Sequence, residues 1–364
     1  MEQLNETIKY AKNNNGRQVE LDIARGIAVI SMVLIHILLE FGNTYAMEES
    51  IYGNIVQFFG GIPAAPVFMF LLGAGIVYSR NNKPTVLAKR GLLLLLFSYL
   101  LNLLRSVIPS MINGLHAGEP FKEQFSLLYG DLLYVDILQF AGLAMLYFAL
   151  ALKLKLRIFG HLIVLLLFVL INYFVSPLAI SLDSIDNSVT FYLSPILALL
   201  FGNKLSFFPF FVWIVYPISG CIFATFLIQT MNKNNFYKSL LSISSIVLVG
   251  YAILVIGFGF PTGSESEASY YNHSILVSVL FLAFIGFWIS CIHFCSSYFK
   301  GRTLQFFKSA SALTTQIYVI HFLLIGIYTL FIHHKLGLEV IIPMSVATYL
   351  FSHYLSYLYI RIKH

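Results

Sequence analysis

The sequence predicts an all-α polytopic membrane protein of about ten transmembrane helices with both termini in the cytoplasm. Three observations carry that expectation. Hydrophobic residues make up 59% of the 364-residue chain and charged residues only 10%, well below the roughly 25% charged content of soluble domains. Apolar runs of about twenty residues, the length a helix needs to cross the hydrocarbon core, recur from end to end. Lys and Arg gather in alternate connections, which sets the direction of every crossing.

The first run, 17–40, reads RQVELDIARGIAVISMVLIHILLE. A charged entry leads into a span at 21–41 that lacks a small-residue cleavage site and is expected to stay as a first helix. Further spans are expected near 62–79, 91–108, 132–152, 158–175, 209–230, 240–260, 274–299, 310–332 and 340–360. With these in place, Lys9, Lys12, Arg17, Arg25, Arg80, Lys83, Lys89, Arg90, Lys153, Lys155, Arg157, Lys233, Lys238, Lys300, Arg302, Lys308, Arg361 and Lys363 fall on one side. Only Arg105, Lys122, Lys204 and Lys335 fall on the other. The first side is therefore the cytoplasmic one. The apolar stretch 189–203 is short and broken by Pro195; counted as a span it would invert every later loop, so it is expected to be re-entrant or interfacial. Residues 1–16 read as a disordered polar tail, and 17–364 as one transmembrane domain.

The net charge of +6 comes from the inner loops and suits an anionic leaflet, so no nucleic-acid partner is implied. Cys221, Cys291 and Cys295 lie in apolar runs and suggest neither a disulfide framework nor a metal site. Oligomeric state is not legible.

Ionisable residues inside spans are costly and mark function by default. Arg25 and His36 are eleven positions apart, about three helical turns, so they share a face of the first helix roughly 16 Å apart along its axis. With Asp22, Lys89 and Arg90, Arg25 forms an inner basic cluster suited to a polyanionic ligand from the cytoplasm. Asp136 sits in LLYVDILQF at the start of its span, where it either caps the helix or orients a histidine. His321 lies near mid-depth in the ninth span. A basic mouth inside, a deeper histidine and an outer carboxylate fit transfer from a phosphate-bearing donor to an acceptor on the far side. The competing class is a transporter or lipid-linked sugar flippase that uses the same residues as a path.

LDIARGIAVISMVLIH resembles the opening signature of the bacterial membrane acyltransferases, in which an arginine, ten residues and a histidine lie on the first helix. APVFMFLLGAGIVYSR with the following KRGLLLLL, VDILQFAGLAMLYFAL, FFPFFVWIVYPISGCIFA and SASALTTQIYVIHF resemble, in order, the heparan-α-glucosaminide N-acetyltransferase branch. The resemblance implies an integral enzyme of the bacterial cytoplasmic membrane that takes acetyl from cytoplasmic acetyl-CoA, without a metal, to a sugar hydroxyl or amine of a glycan or glycolipid outside. Carried over position by position, His36 is the catalytic histidine, Arg25 its partner and Asp22 the opening of the motif, while His321 falls in the late histidine motif. The two arginines that the wider family shows at the third helix's entry are here only Lys89 and Arg90, a departure at the donor site.

Overall fold

The computed structural model describes residues 14–81, 83–118, 120, 128–183, 188–263 and 265–363. The described secondary structure is helical apart from two isolated bridges, Gly42 with Leu336 and Val135 with Ser206. Among the described residues, eight helical stretches are long and apolar enough to cross a membrane: Val19–Phe41, Ile51–Tyr78, Pro84–Ala117, Ile158–Ala179, Phe210–Gln229, Lys233–Phe258, Ile275–Tyr298 and Leu338–Ile362. The polytopic all-α expectation holds. Two expected spans take other forms. The ninth is a pair, Gly301–Ala312 and Thr314–Tyr328, bent by 75°. The fourth is the apolar helix Ile137–Lys153, 17 residues long, slightly under the usual spanning length. The stretch expected to be re-entrant holds a short apolar helix, Ser188–Phe201, below spanning length.

The chain divides into two compact units that interleave in sequence. The first unit comprises the described residues of 14–18, 69–98 and 133–291, and the second those of 19–68, 99–132 and 292–364. Of the expected disordered tail only 14–16 are described, and there Asn14 Nδ2 donates to the carbonyls of Leu227 at 3.2 Å and Thr230 at 2.8 Å, inside the first unit.

The second unit is built on α1 (Val19–Phe41). Glu20 and Asp22 in its first turn complement the positive end of the helix dipole. At the other end Lys335 Nζ donates to the Glu40 carbonyl at 2.6 Å, satisfying a last-turn acceptor with a cation. After α1 come a π-helical turn, Tyr45–Glu49, and α2 (Ile51–Gly60), whose N-cap Ser50 accepts from the Gly53 amide. Gly26 lets α14 (Gly301–Ala312) lie against α1: a β-carbon there would come within 2.8 Å of the Phe307 carbonyl oxygen. Val29 and Val33 pack with Leu313, Ile317 and Tyr349. Further along, Ile35, Ile37, Leu38 and Phe41 pack with Val56, Ile325 and Ile341. Val56 comes from α2, Leu313 from the joint after α14, and the others from α15 (Thr314–Tyr328) and α16 (Leu338–Lys363). His36 thus sits on a helix fixed by apolar packing along most of its length.

In the first unit, α3 (Ala65–Tyr78, from Met69 onward) and α10 (Val215–Gln229) approach at two glycines. A β-carbon on Gly73 would collide with the Pro217 carbonyl, and one on Gly220 with the Phe70 carbonyl. Such close backbone approach is how small residues join helices where lipid removes the hydrophobic drive. Between α3 and α10 in sequence lie α4 (Pro84–Asn102), α5 (Ile108–Ala117), α6 (Ile137–Lys153), α7 (Ile158–Asp183), α8 (Ser188–Phe201) and α9 (Phe210–Trp213). After α10 come α11 (Lys233–Phe258), α12 (Glu267–Tyr271) and α13 (Ile275–Cys295).

Candidate active site

His36 on α1 and His321 on α15 meet. His36 Nδ1 lies 3.0 Å from His321 Nε2, and the rings stack at 5.3 Å between centroids, 8° from parallel. His321 is fully buried and His36 is half-buried. The protons in this pair follow from the acceptors around it. His321 Nδ1 lies 3.0 Å from the Ile317 carbonyl oxygen one turn back on α15. A carbonyl only accepts, so His321 carries its proton on Nδ1 and presents the Nε2 lone pair. His36 then donates from Nδ1, which leaves Nε2 as the basic nitrogen of a neutral His36. The chain carbonyl, imidazole, imidazole has the logic of a triad: a base oriented by a second group that is itself oriented by a third.

The ring of Phe322 closes over the pair, 4.7 Å from the His36 centroid and 4.2 Å from that of His321. Tyr318, one turn earlier on α15, meets His321 edge-on at 5.6 Å. Aromatic rings line the pair on these sides, and the low local dielectric of such a setting strengthens any charge or hydrogen bond formed inside it.

The other expected site residues divide between the units. Asp22 is buried on α1 and accepts from Ser311 Oγ of α14 at 3.0 Å. That bond ties two helices of the second unit together near the N-terminal end of α1. Arg25, half-buried, is one turn further along. Lys89 and Arg90 belong to the first unit, exposed on α4. Asp136 also belongs to the first unit. It is the N-cap of α6: its Oδ1 accepts from the Ile137 amide at 2.6 Å, and the Asp136 backbone amide donates to Gln139 Oε1 at 3.0 Å. The sequence DILQ is the reciprocal capping pattern. Among the described residues, no group of three or more His, Cys, Asp or Glu side chains gathers at metal-binding distance.

Two neighbours of the pair lie outside the sequence expectations. Phe322 carried no signal, being one of 34 phenylalanines. Arg105 was visible as an ionisable residue within a span, and its guanidinium carbon lies 4.1 Å from the Phe322 ring centroid.

Residues 17–258 match the family described as heparan-alpha-glucosaminide N-acetyltransferase, catalytic. The chain belongs to this family. Membership implies a membrane acetyltransferase and agrees with the resemblance of the helical motifs. The matched part of this family member contains Asp22, Arg25, His36, Lys89, Arg90 and Asp136 and ends before His321. Neither the curated proteins nor the solved structures contain a match to the chain.

Proposed function

We propose that this acetyltransferase moves an acetyl group from cytoplasmic acetyl-CoA to a sugar hydroxyl or amine on the outer side of a bacterial cytoplasmic membrane, with His36 as the base. The observation that carries the reading is the Ile317–His321–His36 relay on a chain of this family, because it leaves Nε2 of His36 as a basic nitrogen. An imidazole is the side chain whose proton affinity suits this step near neutral pH.

In the transfer step, His36 Nε2 takes the proton of the acceptor O–H or N–H while the acceptor atom bonds to the acetyl carbonyl carbon. The C–S bond then breaks, and the proton on Nε2 passes to the leaving sulfur to give the CoA thiol. While His36 is cationic, its Nδ1–H hydrogen bond to neutral His321 spreads the charge. Arg25 is proposed to meet the donor's phosphates from the inner side, the side on which the excess of Lys and Arg is expected to place its helix end. Asp22 would hold the α1–α14 junction that carries Arg25, a role supported by its bond to Ser311.

The test is turnover of labelled acetyl-CoA by the full-length chain in proteoliposomes, with an α-glucosaminide acceptor. His36→Ala should lower the rate by at least about 100-fold, the usual contribution of a positioned base. Unchanged acetylated product from that variant, with the protein correctly inserted, would remove His36 from the mechanism. Movement of the sugar across the vesicle with no consumption of acetyl-CoA would replace the enzyme by a transporter.

A further inference from the structure

Between α4 and α5 the backbone widens into a π-turn, Leu103–Val107, with Arg105 at its centre. Single π-turns inside helices shift the register of the turns downstream and gather at functional sites. Here the shift lies in the second unit, the unit of the histidine pair. Facing it on α15 is Gly326, where a β-carbon would stand 2.6 Å from the Arg105 carbonyl oxygen and 2.9 Å from its Cα. Only a residue without a side chain lets the two backbones come that close. Gly326 is one turn beyond Phe322 and so on the same face of α15.

The guanidinium that this packing delivers lies over Phe322 at 4.1 Å, the ring that also touches both imidazoles. Three features of the fold, the π-turn, the glycine and the aromatic seat, converge on one permanently charged side chain. A cation in a membrane-embedded helix is costly. A side chain that merely filled this space would not need charge. Acyl transfer does: addition to the thioester carbonyl leaves a negative oxygen, and pre-placed positive charge in a dry site is the largest single means of stabilising it.

Resting on the acyl-transfer reading above, we infer that Arg105 is the residue that stabilises the negative carbonyl oxygen in the transition state beside the His36–His321 pair. Its substrate contact is therefore the acyl group, not the phosphates of the donor. Arg, with a fixed planar fork and a charge that survives burial, suits that task better than Lys.

The experiment compares kcat and KM of wild type, Arg105→Gln, Arg105→Lys, Gly326→Ala and His36→Ala, each as full-length protein in proteoliposomes with labelled acetyl-CoA. Arg105→Gln should lose about 100-fold to 1000-fold in kcat, with both KM values within about threefold of wild type. Arg105→Lys should recover about tenfold of that loss. Gly326→Ala keeps every site side chain but pushes the π-turn away, and should lower kcat by about tenfold. A purely structural Arg105 would instead lower the amount of folded protein and leave kcat per folded molecule alone. Arg105→Gln with kcat within about threefold of wild type, or with its loss confined to KM, overturns the inference while an inactive His36→Ala keeps the acyl-transfer reading. Should Arg105→Gln fail to fold, the kcat values of Arg105→Lys and Gly326→Ala decide by the same criteria. A wild-type protein that consumes no acetyl-CoA overturns both.

Discussion

At the scale of single residues, the proton positions of two imidazoles follow from one backbone carbonyl. Ile317 O accepts from His321, His321 accepts from His36, and the outcome is a defined basic atom on His36. His321→Gln should therefore lower kcat by about 100-fold without changing KM, because a side chain that fails to hold the tautomer leaves the base misaligned. Progress curves at saturating acetyl-CoA would read this directly. A second histidine shows the opposite design. His273, in the connection between α11 and α13, is buried, donates from Nδ1 to the Tyr270 carbonyl and shares a hydrogen bond of 2.6 Å with Tyr216. Burial pushes its pKa down to about 4, against the smaller opposing effect of the Tyr270 carbonyl. A depressed pKa means that the neutral form supports the fold above the ordinary histidine value near 6.5. That support declines as pH falls from there through about 4. Trp213 lies edge-on to His273 at 5.2 Å, and the chain has two tryptophans. In a Trp288→Phe background, Trp213 emission should thus titrate with a midpoint near 4. A midpoint at 6.5 would mean that His273 is solvated. In the same connection Glu265 accepts from the amides of Thr262 and Gly263, and those bonds hold its carboxyl down to about 2. Its contribution is complete above the ordinary carboxyl value and fades as pH falls through about 2.

At the scale of elements, helix joints in this protein are made by glycines and caps. Gly73 and Gly220 each face a carbonyl of the other helix. Gly73→Ala must part α3 from α10, and overpacking of this kind costs about 1–3 kcal/mol. A lower thermal midpoint of the detergent-solubilised protein, with acetyl transfer per folded molecule unchanged, is the expected result. Asp136 shows how an element can claim a residue that sequence leaves open between two roles. An acid at the start of an apolar helix fits a cap and a catalytic partner equally. The Gln139 side chain reaching back to the Asp136 amide completes the cap. DILQ is legible as a capping pattern in retrospect, whereas the contact of His36 with a residue 285 positions away has no local signature.

At the scale of the whole molecule, the eight candidate spans and the bent pair found among the described residues are legible because bilayer thickness imposes run length on any crossing helix. The two spans that depart from a plain twenty-residue run do so for visible reasons. Leu313 takes a non-helical conformation between α14 and α15 and produces the 75° bend. The capping box at Asp136 starts α6 late and shortens it. The orientation inferred from Lys and Arg is open to direct measurement. In a cysteine-free background, Lys83→Cys should be shielded from a membrane-impermeant maleimide in intact cells and labelled after permeabilisation. Lys335→Cys should label in both. The reverse pattern would turn the proposed donor side outward.

By itself the sequence determined the class of this protein, the places where its chain crosses and the short set of ionisable residues worth attention, because burial in lipid penalises charge so heavily that each exception stands out. It also carried the family, through motifs kept in order along the helices. Only the tertiary structure decided which of those residues meet. His36 and His321 pair, Arg105 comes to the shared aromatic ring through a π-turn and a glycine, and Asp136 is held at the start of α6. Those outcomes depend on helix rotation and on backbone approach of a few tenths of an ångström, and neither quantity is encoded in the local pattern of apolar and polar residues.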